Sequence, residues 1–125
     1  MSTLSRVIFD IDTTPPTVPL SVTATALSTS TIRSTWSAST DTGGSGLAGY
    51  RVFRSTTLAG TYTQIGTDLS TASLTFDDTS LSAGQQRFYK VLAFDGNANA
   101  SALSAAANAT TQSGSGTFDF YIGPN

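Results

Sequence analysis

The strongest constraint on the fold of this chain is a repeated alternation of apolar and polar residues over short stretches. In a strand, residues i, i+2 and i+4 lie on one face, so this pattern is typical of strands with one buried side. Residues that favour turns, such as those of Asp41–Gly46 and Asp95–Asn97, separate the stretches. Seven segments are predicted as strands: Leu20–Ala26, Thr31–Trp36, Gly49–Arg54, Thr61–Gly66, Ala72–Asp77, Arg87–Phe94 and Ser104–Thr111.

Composition supports the same interpretation. Of the 125 residues, 18 are Ser and 22 are Thr, whereas Glu is absent and Met and Lys occur once each, so several strong helix formers are scarce. The sequence therefore predicts an all-β fold in which seven strands form a two-sheet sandwich. The residues predicted to face its core are Val22, Ala24, Ile32, Trp36, Tyr50, Val52, Leu74, Phe76, Leu81, Tyr89, Val91 and Ala93.

The ionisable residues exclude several functions. Because the sequence has no His and no Cys, it cannot form a Ser-His-Asp or Cys-His nucleophile, a thiolate or imidazole zinc site, or a disulfide. A net charge of −2 with six basic residues does not support binding to nucleic acid or to an anionic membrane. The apolar runs Val7–Phe9 and Val91–Phe94 are too short for a membrane span or a signal-peptide core. We predict no catalytic residue, no cofactor, no nucleic-acid partner and no membrane insertion.

The aspartates do not predict a site either. Neighbouring residues on a strand point to opposite faces, so Asp77 and Asp78 cannot flank one substrate bond. Asp41 and Asp95 lie in turns and carry the oxygen ligands that Ca²⁺ accepts, but the spacing of a dedicated calcium loop is missing. Turn formation is therefore the favoured role of both residues, and no metal site is predicted.

Six stretches together match one known family. They are the proline-rich Thr13–Pro19, then Trp36–Asp41, Gly46–Arg54, Phe76–Gly84, Tyr89–Asp95, and the turn from Asp95 to Ser104. In this order and spacing they resemble the fibronectin type III domain, especially its bacterial and phage forms. The resemblance covers residues 13–111 and implies a seven-stranded, immunoglobulin-like β-sandwich with Trp36 in its core.

Two positions depart from the family pattern. Members usually carry a Tyr six residues after the Leu of the corner that precedes strand F, and its hydroxyl ties the corner to the backbone; here that position is Arg87, counted from Leu81. Either Arg87 donates to the corner carbonyls instead, or the tie is missing. Ser34 stands where the family usually has a larger aliphatic residue.

Two extensions are predicted outside the sandwich. Residues 1–12 form an N-terminal extension, and residues 112–125 form a Gly/Ser linker with an apolar tail. We expect one or both extensions to add a strand to an exposed sheet edge of a neighbouring protein or an identical subunit. The residues predicted to bind this partner are Val7, Ile8, Phe9, Ile11, Phe118, Phe120, Tyr121 and Ile122.

A second predicted surface lies on the outward face of two strands, near Arg51 and Lys90. Four large apolar side chains on one outward face exceed scattered exposure and are typical of an interface. Alternatively, one of the terminal extensions folds back over this face within the same chain. The residues of this patch are Phe53, Phe88, Leu92 and Phe94.

These features favour a non-enzymatic structural or binding module. The resemblance and the apolar extensions favour an accessory or decoration protein of a phage virion, in the capsid or the tail, assembled in the host cytoplasm. Its partners would be other virion proteins or identical subunits, and its outer loops would make weak contacts with a host-surface glycan or protein. With Met1 as the native start, no export through a secretory pathway is expected. The alternative is an extracellular spacer or carbohydrate-adhesion module of a secreted bacterial enzyme or adhesin.

Overall fold

The structure, a computed structural model, describes residues 11–114. In this range seven strands form two antiparallel sheets, β1-β2-β5 and β4-β3-β6-β7. Residues 11–114 contain no helix, and hence none long and apolar enough to cross a membrane. The predicted all-β sandwich is confirmed. The strands are β1 (Thr23–Ala26), β2 (Ile32–Thr35), β3 (Leu47–Ser55), β4 (Thr63–Leu69), β5 (Thr75–Asp78), β6 (Gln86–Asp95) and β7 (Ala107–Thr110).

Strand β4 runs further than the alternation predicted. It continues to Leu69 because the chain stays paired with β3 through an irregularity, after which Leu69 faces Tyr50. Gly66 lies in this irregular stretch with φ +69°, a conformation that side chains other than glycine rarely adopt. Gly49, on β3, lies so close to the carbonyl of Leu69 that a Cβ atom would overlap it.

The last strand is shorter than predicted, because the residues before it bind β6 without joining the ladder. The hydroxyls of Ser101 and Ser104 accept hydrogen bonds from the backbone of Ala93 (3.0 Å) and Val91 (2.9 Å). The backbone N–H groups of the two serines donate back to the carbonyls of the same two residues. Regular pairing with β6 starts only at Ala107.

The core lies between the sheets. All twelve residues predicted to face inward belong to it or pack against it. Trp36 is 5% exposed, and its ring lies 5.6 Å from that of Tyr50. The Tyr50 hydroxyl accepts a hydrogen bond of 2.8 Å from the backbone N–H of Ser39, which fixes the start of the β2–β3 loop to the core.

The corner between β5 and β6 is tied by Thr111 instead of by a tyrosine. The Thr111 hydroxyl donates to the carbonyl of Ser82 (2.6 Å) and accepts from the backbone N–H of Gln85 (2.8 Å). Arg87 donates only to the carbonyl of its neighbour Gln86 (2.8 Å), so it does not replace the missing tyrosine. The tie is therefore present, but it comes from the end of β7.

Ser34 is completely buried, and its hydroxyl has no hydrogen-bond partner. A buried, unpaired polar group costs about 1–3 kcal/mol. We expect Ser34→Ala to raise the free energy of unfolding by about 1 kcal/mol, measured by urea denaturation, since part of the gain is lost with the removed volume. The exposed Ser37→Ala is the control and should change stability by less than about 0.5 kcal/mol. A loss of stability in Ser34→Ala would contradict the prediction.

A polar network crosses one end of the core. The Asp78 carboxylate is 6% exposed and accepts hydrogen bonds from Arg54 Nη1 (2.9 and 3.0 Å) and from the Tyr89 hydroxyl (2.7 Å). Burial, together with the neighbouring Asp78 carboxylate, raises the pKa of Tyr89 above its ordinary value of about 10.

This pKa shift predicts a loss of stability in alkali. Above a pH of about 10 the unfolded chain releases the Tyr89 proton, whereas the folded chain retains it. The contribution of this group to the free energy of unfolding is therefore fully present below about pH 10 and falls above it, by at most about 1.4 kcal/mol per pH unit. Urea midpoints at pH 9 and pH 11 measure the effect. Tyr89→Phe should lose less stability than the unmodified chain between these two values; an equal loss would show that other groups cause it.

Candidate functional site

Most of the predicted partner-binding residues lie outside the described range. These are Val7, Ile8, Phe9, Phe118, Phe120, Tyr121 and Ile122. Ile11 is within the range and is 70% exposed. An exposed isoleucine is compatible with a contact surface, and the binding role of all eight residues stays a prediction.

The outward face of the larger sheet is more covered than the sequence indicated. Phe53 and Phe88 are half-buried, and Leu92 and Phe94 are each 9% exposed, so none of the four side chains of the predicted patch is fully exposed. The Arg51 guanidinium lies 4.2 Å from the centre of the Phe94 ring. Long charged side chains can shield apolar surface in this way while their charge stays in water.

An ion pair and a cation–π contact hold the charged side chains of this face in place. Arg51 binds Asp68 through two hydrogen bonds of 2.9 and 3.2 Å. The Lys90 ammonium lies 4.5 Å from the centre of the Tyr62 ring. The face therefore presents a mixed polar and aromatic surface, and its role as an interface stays a prediction.

Asp77 and Asp78 point to opposite faces, as predicted. Asp77 binds Arg33 in an exposed pair (2.7 and 3.0 Å), which lowers the pKa of Asp77, whereas Asp78 points inward to Arg54 and Tyr89. The two carboxylates are each engaged with an arginine on different sides of the sheet. They offer no paired acid and base.

Three other carboxylates meet at one end of the sandwich. Asp12 precedes β1, Asp41 lies in the β2–β3 loop, and Asp95 is the last residue of β6. One carboxylate oxygen from each lies within 4.8 Å of the others. The sequence indicated Asp41 and Asp95 as separate turn residues. Asp12 was missed as a member of this group, because nothing in the sequence shows that the chain before β1, here called the lead-in segment (residues 11–22), reaches these loops.

The cluster is held by hydrogen bonds from surrounding amides. The Asp12 carboxylate accepts from the backbone N–H of Thr14 (2.9 Å) and from both the backbone N–H (3.0 Å) and the hydroxyl of Ser45. The side-chain amides of Asn97 and Asn99 donate to the Asp12 carbonyl at 2.9 and 2.6 Å. The lead-in segment is therefore fixed to the two loops through Asp12.

Asp95 is ionised in this setting. Burial alone would raise the pKa of Asp95, but hydrogen bonds from Asn99, from the backbone of Asn97 and with the Asp12 carboxyl group hold it at about 2. Asp95 is 4% exposed, and its carboxylate accepts from the backbone N–H groups of Asn97 (2.9 Å) and Asn99 (2.8 Å) and from the Asn99 side chain (2.8 Å). The arrangement can hold negative charge, and its low pKa makes the Asp95 carboxylate a weak base.

No family model matches the sequence, but curated bacterial proteins do. The chain is 43% identical over 101 residues to exoglucanase B of Cellulomonas fimi, covering 81% of this chain and 8% of that protein. It is 34% identical over 110 residues to an α-amylase of Niallia circulans, which covers 88% of this chain and 8% of that protein. It is 35% identical over 104 residues to chitinase Chi52 of Paenibacillus xylanexedens, which covers 83% of this chain and 18% of that protein. The chain thus spans less than a fifth of the length of these relatives.

Solved structures agree on the fold. The structure of FN3tt superposes with a TM-score of 0.64 at 21% identity, covering 82% of this chain and 99% of that one. The fn3 domain of human contactin 1 gives a TM-score of 0.68 at 20% identity (88% and 89% covered), and an Fn3-like protein from Clostridium thermocellum gives 0.59 at 28% identity (78% and 91% covered). As the resemblance implied, this chain has the fibronectin type III fold.

Proposed function

We propose that this chain is a non-catalytic spacer module of an extracellular, polysaccharide-degrading bacterial enzyme. One observation carries the proposal: more than four fifths of this chain is similar to a small fraction of an exoglucanase, an α-amylase and a chitinase. These names describe enzymes that cleave different polysaccharides. A segment common to them is poorly suited to be the part that selects or cleaves one substrate, and well suited to connect such parts.

The side chains support a connecting role. Within residues 11–114, Asp68, Asp77 and Asp78 are each engaged with an arginine and are not free to act on a substrate. The only tryptophan of the sequence, Trp36, is 5% exposed and thus unavailable to stack on a sugar ring. A sandwich without an exposed tryptophan fits a spacer, which must keep its shape without competing for substrate.

The relatives give no support to the predicted phage role. The C. fimi, N. circulans and P. xylanexedens proteins are named as glycan-degrading enzymes, and none of them is named as a virion protein. They favour the alternative of an extracellular module. Between spacer and carbohydrate-adhesion module, the buried Trp36 favours the spacer.

Sedimentation with insoluble polysaccharides distinguishes these two roles. The whole chain is mixed separately with cellulose, chitin and starch, and the fraction that sediments is compared with that of serum albumin. We expect no excess binding and no release of soluble sugar. Excess sedimentation that is lost in Tyr62→Ala or Arg51→Ala would overturn the spacer role in favour of adhesion through the β3–β6 face.

The genomic position of the coding sequence tests which kind of protein this module belongs to. We expect the reading frame to belong to, or lie beside, a gene for a glycan-degrading enzyme. A position among genes for capsid or tail proteins would overturn the proposal and restore the phage role.

A further inference from the structure

We infer that Asp12, Asp41 and Asp95 form a calcium-binding site at the end of the sandwich where the chain enters it. One carboxylate oxygen of each residue lies within 4.8 Å of those of the other two, so an ion between them would be at most about 2.8 Å from each, close to the 2.3–2.6 Å of Ca²⁺–oxygen contacts. Small side-chain movements would therefore bring all three carboxylates into contact with one ion. This inference does not depend on the proposed spacer role.

Charge balance supports a cation at this point. Asp12 and Asp95 are 8% and 4% exposed, so their charges are largely removed from water, and three converging carboxylates repel one another unless a cation or protons compensate them. Every lysine and arginine in residues 11–114 is engaged elsewhere: Arg33, Arg51 and Arg54 with aspartates, Lys90 with Tyr62, and Arg87 with a backbone carbonyl. The described part of the chain thus provides no positive side chain to neutralise the cluster.

A second observation points to a ligand. Asp41 Oδ1 accepts a hydrogen bond of 2.8 Å from the backbone N–H of Gly43, whereas Asp41 Oδ2 exposes less than 1 Å² and has no hydrogen-bond partner. A buried carboxylate oxygen without a partner is costly, and more so than a neutral group. A bound cation beside Asp12 and Asp95 would satisfy this oxygen.

The ligand set favours calcium over other metals. The sequence has no His or Cys, which are the usual ligands of zinc and of softer metals. Calcium accepts six to eight oxygens at 2.3–2.6 Å in irregular geometry, with waters completing the shell. Magnesium requires a nearly ideal octahedron at about 2.0–2.1 Å and retains its waters, so a site made from three separate segments suits it less.

Binding would join three parts of the chain that are distant in sequence. Asp12 belongs to the lead-in segment, Asp41 to the β2–β3 loop and Asp95 to the end of β6. A single ion would therefore cross-link the lead-in to both loops and fix the direction in which the chain enters the domain. Such a link would make the direction of the lead-in segment, and the stability of the domain, respond to calcium.

Calcium titration of the whole chain tests the site. The protein is stripped with EDTA and exchanged into metal-free buffer, and its melting temperature is then measured between 0 and about 10 mM CaCl₂. Extracellular calcium modules have dissociation constants of about 10⁻⁴–10⁻³ M, so we expect a rise of about 5 °C or more. Isothermal titration calorimetry should give one ion per chain, and MgCl₂ at the same concentrations should give a smaller rise.

Asp41→Asn is the matched test variant, because an asparagine side chain keeps an acceptor for Gly43 N–H and removes one charge. We expect at least a tenfold weaker calcium affinity and, in EDTA, a melting temperature equal to or above that of the unmodified chain, since repulsion is relieved. Asp68→Asn, an exposed aspartate that binds Arg51, should keep the full calcium response. Absence of calcium binding to the unmodified chain, or an equal response in Asp41→Asn, would overturn the inference.

Discussion

Replacing Asp78 by alanine is expected to destabilise the domain by about 3 kcal/mol, measured by urea denaturation. The carboxylate is 6% exposed and accepts hydrogen bonds from Arg54 and Tyr89, so its removal leaves an arginine charge and a buried hydroxyl without their partner. The loss of one partner of a buried pair costs about 3–5 kcal/mol, and the lower end applies because the Arg54 side chain remains 33% exposed.

The neighbouring Asp77→Ala provides a matched control. Asp77 also binds an arginine through two hydrogen bonds, but its pair with Arg33 is exposed and should contribute only about 0–1 kcal/mol. A double-mutant cycle of Asp78→Ala with Tyr89→Phe measures the coupling within the network. Equal losses in Asp77→Ala and Asp78→Ala would disprove the assignment of stability to the buried network.

Replacing Trp36 by alanine is expected to cost about 3–5 kcal/mol. The side chain is 5% exposed and packs against Tyr50, so its removal leaves a large cavity that a two-sheet core can close only in part. Far-UV circular dichroism in a urea titration measures the loss. Tryptophan fluorescence cannot report on this variant because Trp36 is the only tryptophan of the sequence.

Two controls show whether volume is the cause. Trp36→Phe keeps an aromatic ring and removes an indole nitrogen that has no hydrogen-bond partner, so it should lose less stability than Trp36→Ala. Leu58→Ala, at a position 61% exposed, should change stability by less than about 0.5 kcal/mol. A loss below about 1 kcal/mol in Trp36→Ala would mean that the two sheets do not depend on this residue.

The two predicted losses bear on the proposed function. A spacer is useful only while its shape persists, and small domains have a net stability of only about 5–15 kcal/mol. The Trp36 core and the Asp78 network are therefore expected to be needed for the module to hold its neighbours apart. The calcium site inferred at Asp12, Asp41 and Asp95 would add stability outside the core, because it would fix two loops and the lead-in segment to one another.

Strand positions and the core could be predicted from the sequence because both depend on local alternation. Ile32, Tyr50 and Val91 face inward since each occupies the buried phase of its own strand. The extension of β4 to Leu69 could not be predicted, because it depends on pairing with β3 across an irregularity. Coverage of Phe94 by Arg51 was missed for the same reason: the contact joins two strands and follows from their register.

The sequence by itself determined that this chain forms an all-β sandwich around Trp36, because the period of its apolar residues is a property of each strand alone. Only the tertiary structure decided that Thr111 ties the corner and that Asp12, Asp41 and Asp95 meet. These contacts join residues far apart in the chain, and their geometry is fixed by how the two sheets pack and where the loops between them end.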